Sequence, residues 1–203
     1  PQTLQPYETV QLLEPVGVDA EGNVVEADSP EAVQQVTQAV VPLGPQASQV
    51  AIKQLGTNGG GFNGANSASA LENPTPLTNL LQCGAMMLLP LTLIFCFGRM
   101  VGDRRQGRML MAVVIAMLAV AVAVCMAAEY AATPQLLDDG AVYVGGVEQS
   151  AGNMEGKECR IGTGETALWS VFTTAAAHGS SNGSMAGLTP LSQVVALVLM
   201  GLG

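Results

Sequence analysis

Two apolar runs, Leu77 to Gly98 and Met109 to Ala128, flank a ten-residue stretch, Arg99 to Arg108, that carries four arginines. Each run is about 20 residues long, the length a helix needs to cross a bilayer core of about 30 Å at about 1.5 Å per residue. Pro90 lies in the first run, where membrane helices tolerate it; the second contains no charged residue. A pair of buried helices in a large soluble protein is the competing reading. It fits poorly with a chain that is 11% charged and has a mean hydropathy of +0.37, because too few polar side chains remain to clothe a globule.

The charges orient the pair. Arg99, Arg104, Arg105 and Arg108 are four of the seven basic residues, whereas fifteen of the sixteen acids lie outside this stretch, Asp103 being the exception. By the positive-inside rule residues 99–108 form a cytoplasmic turn, and the acidic flanks 1–73 and 129–165 face outward. Glu129 and Tyr130 then mark the outer end of the second span. A net charge of −9 excludes a nucleic-acid partner, whose phosphates need Lys and Arg. Of the four cysteines, Cys83, Cys96 and Cys125 fall in apolar runs and Cys159 in a polar one; without metal spacing they read as buried thiols.

These landmarks divide the chain. Residues 1–46 form an outer polar loop, with short strands possible at Val10 to Leu13 and Val24-Val25 and a short helix at Pro30 to Val41. Residues 47–76 hold a helix too short to span, Ala47 to Leu55, and a Gly-rich loop, Gly56-Thr57-Asn58-Gly59-Gly60-Gly61. Residues 77–98 are a transmembrane helix, 99–108 the basic turn, and 109–129 a second transmembrane helix. Residues 130–165 are another outer polar loop, with turns at Asp138-Asp139-Gly140 and Gly145-Gly146. Residues 166–187 hold a second short helix, Thr166 to Ala177, started by Thr163-Gly164-Glu165, and a loop of small residues, His178 to Ser184. Residues 188–203 begin a third span, so the chain reads as an internal piece truncated at both ends.

The order of elements repeats: outer loop, short helix, Gly-containing loop, then a Pro-Leu-Thr/Ser-Asn/Gln step into a span. Pro76-Leu77-Thr78-Asn79-Leu80 and Pro190-Leu191-Ser192-Gln193-Val194 carry this step, with a period of roughly 115–120 residues, too long for a solenoid. A short helix and a loop dipping between spans is a re-entrant pore-loop pattern. The expected fold is therefore an all-α membrane protein built of pore-loop repeats (span, short pore helix, filter loop, span), and the resemblance described below implies that these are repeats of the potassium channel and transporter superfamily.

Such a loop suits a monovalent cation. A dehydrated ion needs several oxygens of modest partial charge, which backbone carbonyls supply where side chains keep clear. Glycine permits that backbone, and irregular backbone at membrane depth is tolerated where it lines a cavity. A phosphate-binding loop would want a preceding strand and a Lys-Ser or Lys-Thr after the glycines, whereas Phe62-Asn63-Gly64 follows; a plain surface turn is the remaining alternative. Glu72 can cap or brace the loop or, less simply, ligate the ion. His178, the sole histidine, reads as a solvated or hydrogen-bonded loop residue and cannot build a transition-metal site alone. No nucleophile–base pair is visible, so the chain is not expected to be an enzyme by itself.

At these residues the chain resembles the potassium-binding A subunit family of the Kdp-type potassium-transporting ATPase. The resemblance rests on Gln54 to Phe62, Ala65 to Ala68, Glu72 to Asn79, Gly98 to Arg108, Asn153 to Glu158 and Thr173 to Ala176. Departures stand at Asn63-Gly64, Ser69-Ala70-Leu71, Ala177 and Ser184 to Gly187. The resemblance implies four pore-loop units, of which this chain would hold the second and third. It implies potassium as the bound ion and no organic cofactor. Partners would be a P-type ATPase catalytic subunit and small accessory subunits, within the lipid bilayer of a bacterial or archaeal plasma (inner) membrane. By position it assigns ion-binding backbone to Thr57, Asn58, Gly59, Ala177, His178 and Gly179, with Gly60, Gly61, Asn66, Glu72 and Asn182 as support. The alternative is a potassium channel or symporter subunit without an ATPase partner.

Overall fold

A computed structural model describes residues 8–21, 23–26, 28–30, 33–131, 143–144, 147–148 and 152–202. The chain divides into two compact units, Pro1–Ser48 and Gln49–Gly203.

The first unit is not a plain loop. Strand β1, Glu8–Val18, pairs antiparallel with β2, Val24–Glu26, and with β3, Gln34–Val41, in the order β2-β1-β3. The strands expected at Val10 to Leu13 and Val24-Val25 lie within β1 and β2. The helix expected over Pro30 to Val41 is instead β3, because Val36, Thr37, Val40 and Val41 are β-branched and fit a pleated surface better than a helix. The all-α expectation is corrected here. The β1–β3 register shifts between Gln11 and Val16, a stretch that includes Pro15, which has no N–H for the ladder. Asp19 closes the β1–β2 turn, its Oδ1 accepting from the Asn23 N–H at 2.7 Å.

The second unit is helical. Helix α1, Leu43–Leu55, straddles the division between units and starts four residues earlier than expected, since Pro45 is tolerated in a first turn. Helix α2, Pro76–Met100, opens on a reciprocal cap: the Thr75 hydroxyl accepts from the Thr78 N–H while the Thr75 N–H donates to the Thr78 hydroxyl. Helix α3, Arg104–Ala131, takes in five residues expected in the turn, Arg104 to Arg108, three of them arginines. Asp103 caps it, Oδ1 accepting from the Arg105 N–H at 2.8 Å. Basic side chains in a first helical turn oppose the helix dipole, which hid this start from sequence reading. The turn proper shrinks to Val101, Gly102 and Asp103, with Gly102 at φ +79°.

A two-stranded hairpin, β4 (Tyr143–Val144) with β5 (Val147–Glu148), lies in the 130–165 segment. The turns expected at Asp138-Asp139-Gly140 and Gly145-Gly146 lie outside the described residues. Helix α4, Gly162–Ala175, begins four residues before the expected Thr166, with no side-chain cap at Ile161. Helix α5, Pro190–Leu202, follows.

Helix α4 packs against α2, α3 and α5. Its Ala167 and Val171 join Ala121 and Cys125 of α3 in one apolar cluster, and Trp169 joins Cys83 and Met86 of α2 in another. The outer faces of α2 and α3 stay uncovered: Leu80, Leu88, Leu93, Val113 and Val120 are all exposed. Two helices of 25 and 28 residues with such faces are long and apolar enough to cross a membrane. Cys83 and Cys125 are buried as expected, but Cys96 and Cys159 are exposed.

Candidate ion filter

The loops after α1 and α4 share one backbone course. Two residues beyond each helix end stands a non-glycine residue in the left-handed region, Thr57 at φ +47° and Ala177 at φ +50°. Two residues further stands a left-handed glycine, Gly59 at φ +71° and Gly179 at φ +90°. A β-branched residue at positive φ is costly, and such strain collects at functional sites. These loops come together. A Cβ added to Gly59 would lie 2.0 Å from the His178 carbonyl oxygen, so only glycine allows this approach. Gly59 is buried, whereas Asn58, Ala177 and Gly179 are exposed.

Hydrogen bonds decide which carbonyls are free to point elsewhere. The Ser180 carbonyl is turned into α4, accepting from Thr173 Oγ1 at 2.7 Å and from Trp169 Nε1 at 3.2 Å. The His178 N–H donates to the Thr173 carbonyl at 2.8 Å. His178 Nδ1 accepts from the Ser180 N–H at 3.2 Å, so the proton of the neutral ring belongs on Nε2. That atom is buried without a partner in hydrogen-bond geometry. Burial pushes the imidazole pKa below its ordinary value; the Lys53 backbone opposes this and the Lys53 charge adds to it. Of the two expected alternatives, solvated or hydrogen-bonded, His178 takes the second, and it is buried.

Behind the first loop lies a fully buried carboxylate. Glu72 Oε1 accepts from Lys53 Nζ at 2.8 Å and from Ser67 Oγ at 3.1 Å, and Oε2 accepts from Asn63 Nδ2 at 3.0 Å. Lys53 Nζ also donates to the Asn66 carbonyl at 3.1 Å. A buried charge must be paired and hydrogen-bonded to persist, and Glu72 spends both oxygens on holding loop residues. Gly61 lies over the Lys53 stem, a Cβ there reaching within 3.1 Å of its Cδ, while a Cβ on Gly60 would meet nothing within 4 Å. Asn66 and Ser181 form a parallel bridge that joins the two loop regions, the Ser67 N–H donating to the Ser181 carbonyl at 2.8 Å. Asn182 is fully buried and donates to Asn79 Oδ1 on α2 at 3.0 Å.

Several residues escaped sequence reading. Glu129 stands near the end of α3, where it was expected, but it is also fully buried, its Oε2 accepting from Lys157 Nζ at 2.8 Å and from Asn153 Nδ2 at 2.9 Å. Its Oε1 accepts from the Thr189 N–H and hydroxyl, each at 2.8 Å, and so ties α3 to the start of α5. The Arg160 guanidinium donates to the Ala68 and Asn73 carbonyls, bridging segments far apart in sequence. The available signal was scarcity. A chain with seven cations, four in one turn, leaves three whose partners are worth seeking.

A family model described as the potassium-transporting ATPase A subunit matches residues 1–203. The chain belongs to this family, KdpA. A potassium-transporting ATPase potassium-binding subunit of Clostridium perfringens is 46% identical over 202 residues, covering 100% of this chain and 33% of the relative. Proteins of the same description are 51% identical over 168 residues in Sorangium cellulosum, covering 83% of the chain and 29% of the relative, and 45% over 207 residues in Desulfovibrio desulfuricans, covering 100% and 33%. The chain spans about a third of the length of these relatives. Its two long apolar helices are in keeping with a membrane transporter family.

Proposed function

We propose that this chain contributes two pore-loop units to a potassium-binding and translocating subunit of an ATP-driven uptake system, taking potassium from the outer side. The observation that carries the reading is the shared left-handed course at Thr57/Gly59 and Ala177/Gly179, with Gly59 seated on the His178 carbonyl. In a strand successive carbonyls point opposite ways. A left-handed residue at every second position removes that alternation, so carbonyls of Thr57, Asn58, Gly59, Ala177, His178 and Gly179 can face one ion. A ring of neutral dipoles replaces the hydration shell while binding weakly enough to release the ion. The relatives' description as potassium-binding subunits supports potassium as the cargo.

On this reading the subunit is not hydrolytic by itself. A P-type ATPase subunit with small accessory subunits supplies the energy, in a plasma (inner) membrane with residues 99–108 cytoplasmic and the filter loops outside. A channel or symporter without an ATPase would show uptake indifferent to ATP depletion, and the proposed system would not. Gly59→Asp in the full-length subunit tests the site itself. Potassium uptake affinity should fall by about tenfold or more, a loss of about 1.4 kcal/mol or more. An unchanged affinity and unchanged potassium-over-sodium preference would refute the assignment.

A further inference from the structure

The geometry points to a phosphate-headgroup site for an anionic lipid in the cleft at the turn between α2 and α3. A cavity of about 410 Å³ opens there, lined by Phe95, Gly98, Arg99, Arg104, Gly107 and Arg108. Its floor is bare because the helices touch backbone to backbone: a Cβ on Gly98 would lie 2.9 Å from the Gly107 Cα. The two glycines leave room above them, and three guanidinium-bearing side chains surround it. Guanidinium groups match phosphate oxygens with paired N–H donors.

The charge distribution across the whole chain singles out this cleft. Lys53 and Lys157 are buried in ion pairs, and Arg160 donates to two carbonyls. The four turn arginines are exposed and, among the described residues, none has a carboxylate partner. Asp103, the sole acid in the turn, spends Oδ1 on the backbone N–H groups of Arg105 and Gln106. Phe95 is exposed within the same lining, and Leu93, Phe97 and Met109 are exposed nearby in sequence. An apolar wall continuous with the lipid-facing surface, beneath unpaired cations, selects an amphiphile over a free anion. Cations next to a span attract anionic headgroups in general; the lined cleft gives one lipid a defined seat.

This inference rests on α2 and α3 crossing the membrane and is independent of the filter. The test is lipid retention by the purified full-length protein in detergent, read by native mass spectrometry with phosphatidylglycerol or phosphatidylcholine added. Phosphatidylglycerol should be retained over phosphatidylcholine. Its occupancy should fall about fivefold or more in Arg104→Gln and Arg108→Gln. Arg105→Gln, which removes the same charge outside the cleft lining, should leave occupancy unchanged, and excess inorganic phosphate should not displace the lipid. Equal losses in all three variants would mean diffuse attraction, and complete displacement by phosphate would mean a free-anion site; either overturns the proposal. So would full lipid retention by every variant combined with weakened association of a cytoplasmic protein partner. Matched melting temperatures of the variants exclude misfolding as the cause. Potassium binding is not read, so failure of the filter assignment leaves the outcome interpretable.

Discussion

Gly59 shows how much one missing side chain decides. Its positive φ and its place against the His178 carbonyl both exclude a Cβ, so even Gly59→Ala should disturb the second loop through the first. Lys53 and Glu72 are the converse, two long side chains fully buried to hold a loop. Removing one partner, as in Lys53→Met, leaves a buried charge alone and should cost about 3–5 kcal/mol; removing both should cost less than the sum. A double-mutant cycle followed by thermal melting of the full-length protein measures this, and additive losses would contradict a coupled pair. His178 brings a pH dependence. Because its folded pKa lies below the ordinary value of about 6.5, the unfolded chain takes up a proton first as the solution is acidified. Its contribution is therefore fully kept above about pH 6.5 and lost progressively as the pH falls below it. Melting temperature across pH 5–8 should show this slope in the wild type, and it should flatten in His178→Gln.

At the scale of elements, the α2–α3 hairpin depends on two glycines in contact. Gly98→Leu places a side chain where the Gly107 backbone already stands, so these helix ends must separate. Cysteine cross-linking between the helix ends should then slow markedly, whereas Gly84→Leu on α2, where a Cβ meets nothing within 4 Å, should leave it unchanged. Much of this level was open to sequence reading. The length and apolarity of α2 and α3 need no partner to be recognised, because lipid forces backbone hydrogen bonds to close within each helix. Helix ends were harder. Arg99 to Arg108 read as one turn marked by Gly102 and Gly107, whereas the Asp103 cap starts a helix at Arg104. The β3 segment read as a helix, whereas its β-branched residues gain from pairing with a strand distant in sequence.

For the molecule as a whole, the second unit is held by polar bonds between distant segments as much as by apolar packing. Arg160 donates to carbonyls at Ala68 and Asn73, and Glu129 with Lys157 joins α3 to α5. Arg160→Gln should lower stability of the full-length protein by about 1.5–3 kcal/mol for each charged hydrogen bond it fails to replace. It should loosen protection of residues 68–73 in hydrogen exchange, and unchanged protection there would contradict the bridge. The Gly-rich loop, the spans, the asymmetry of charge and the Pro-Leu-Thr/Ser step were legible because each is local: composition over about 20 residues, or a few letters in order. Which residues brace the loops was not legible. Lys53 with Glu72, Glu129 with Lys157, and Asn79 with Asn182 are separated by 19, 28 and 103 positions, and no local pattern links them. The sequence by itself thus determined two segments long and apolar enough to cross a membrane, a one-sided clustering of basic residues between them, and where glycine frees the backbone. Only the tertiary structure decided that Gly59 rests on the His178 carbonyl, and that Lys53, Lys157 and Arg160 are consumed in holding distant segments together. The reason is physical: burial penalises a charge or polar group without a partner, and the partner is chosen by proximity in space, which sequence order does not encode.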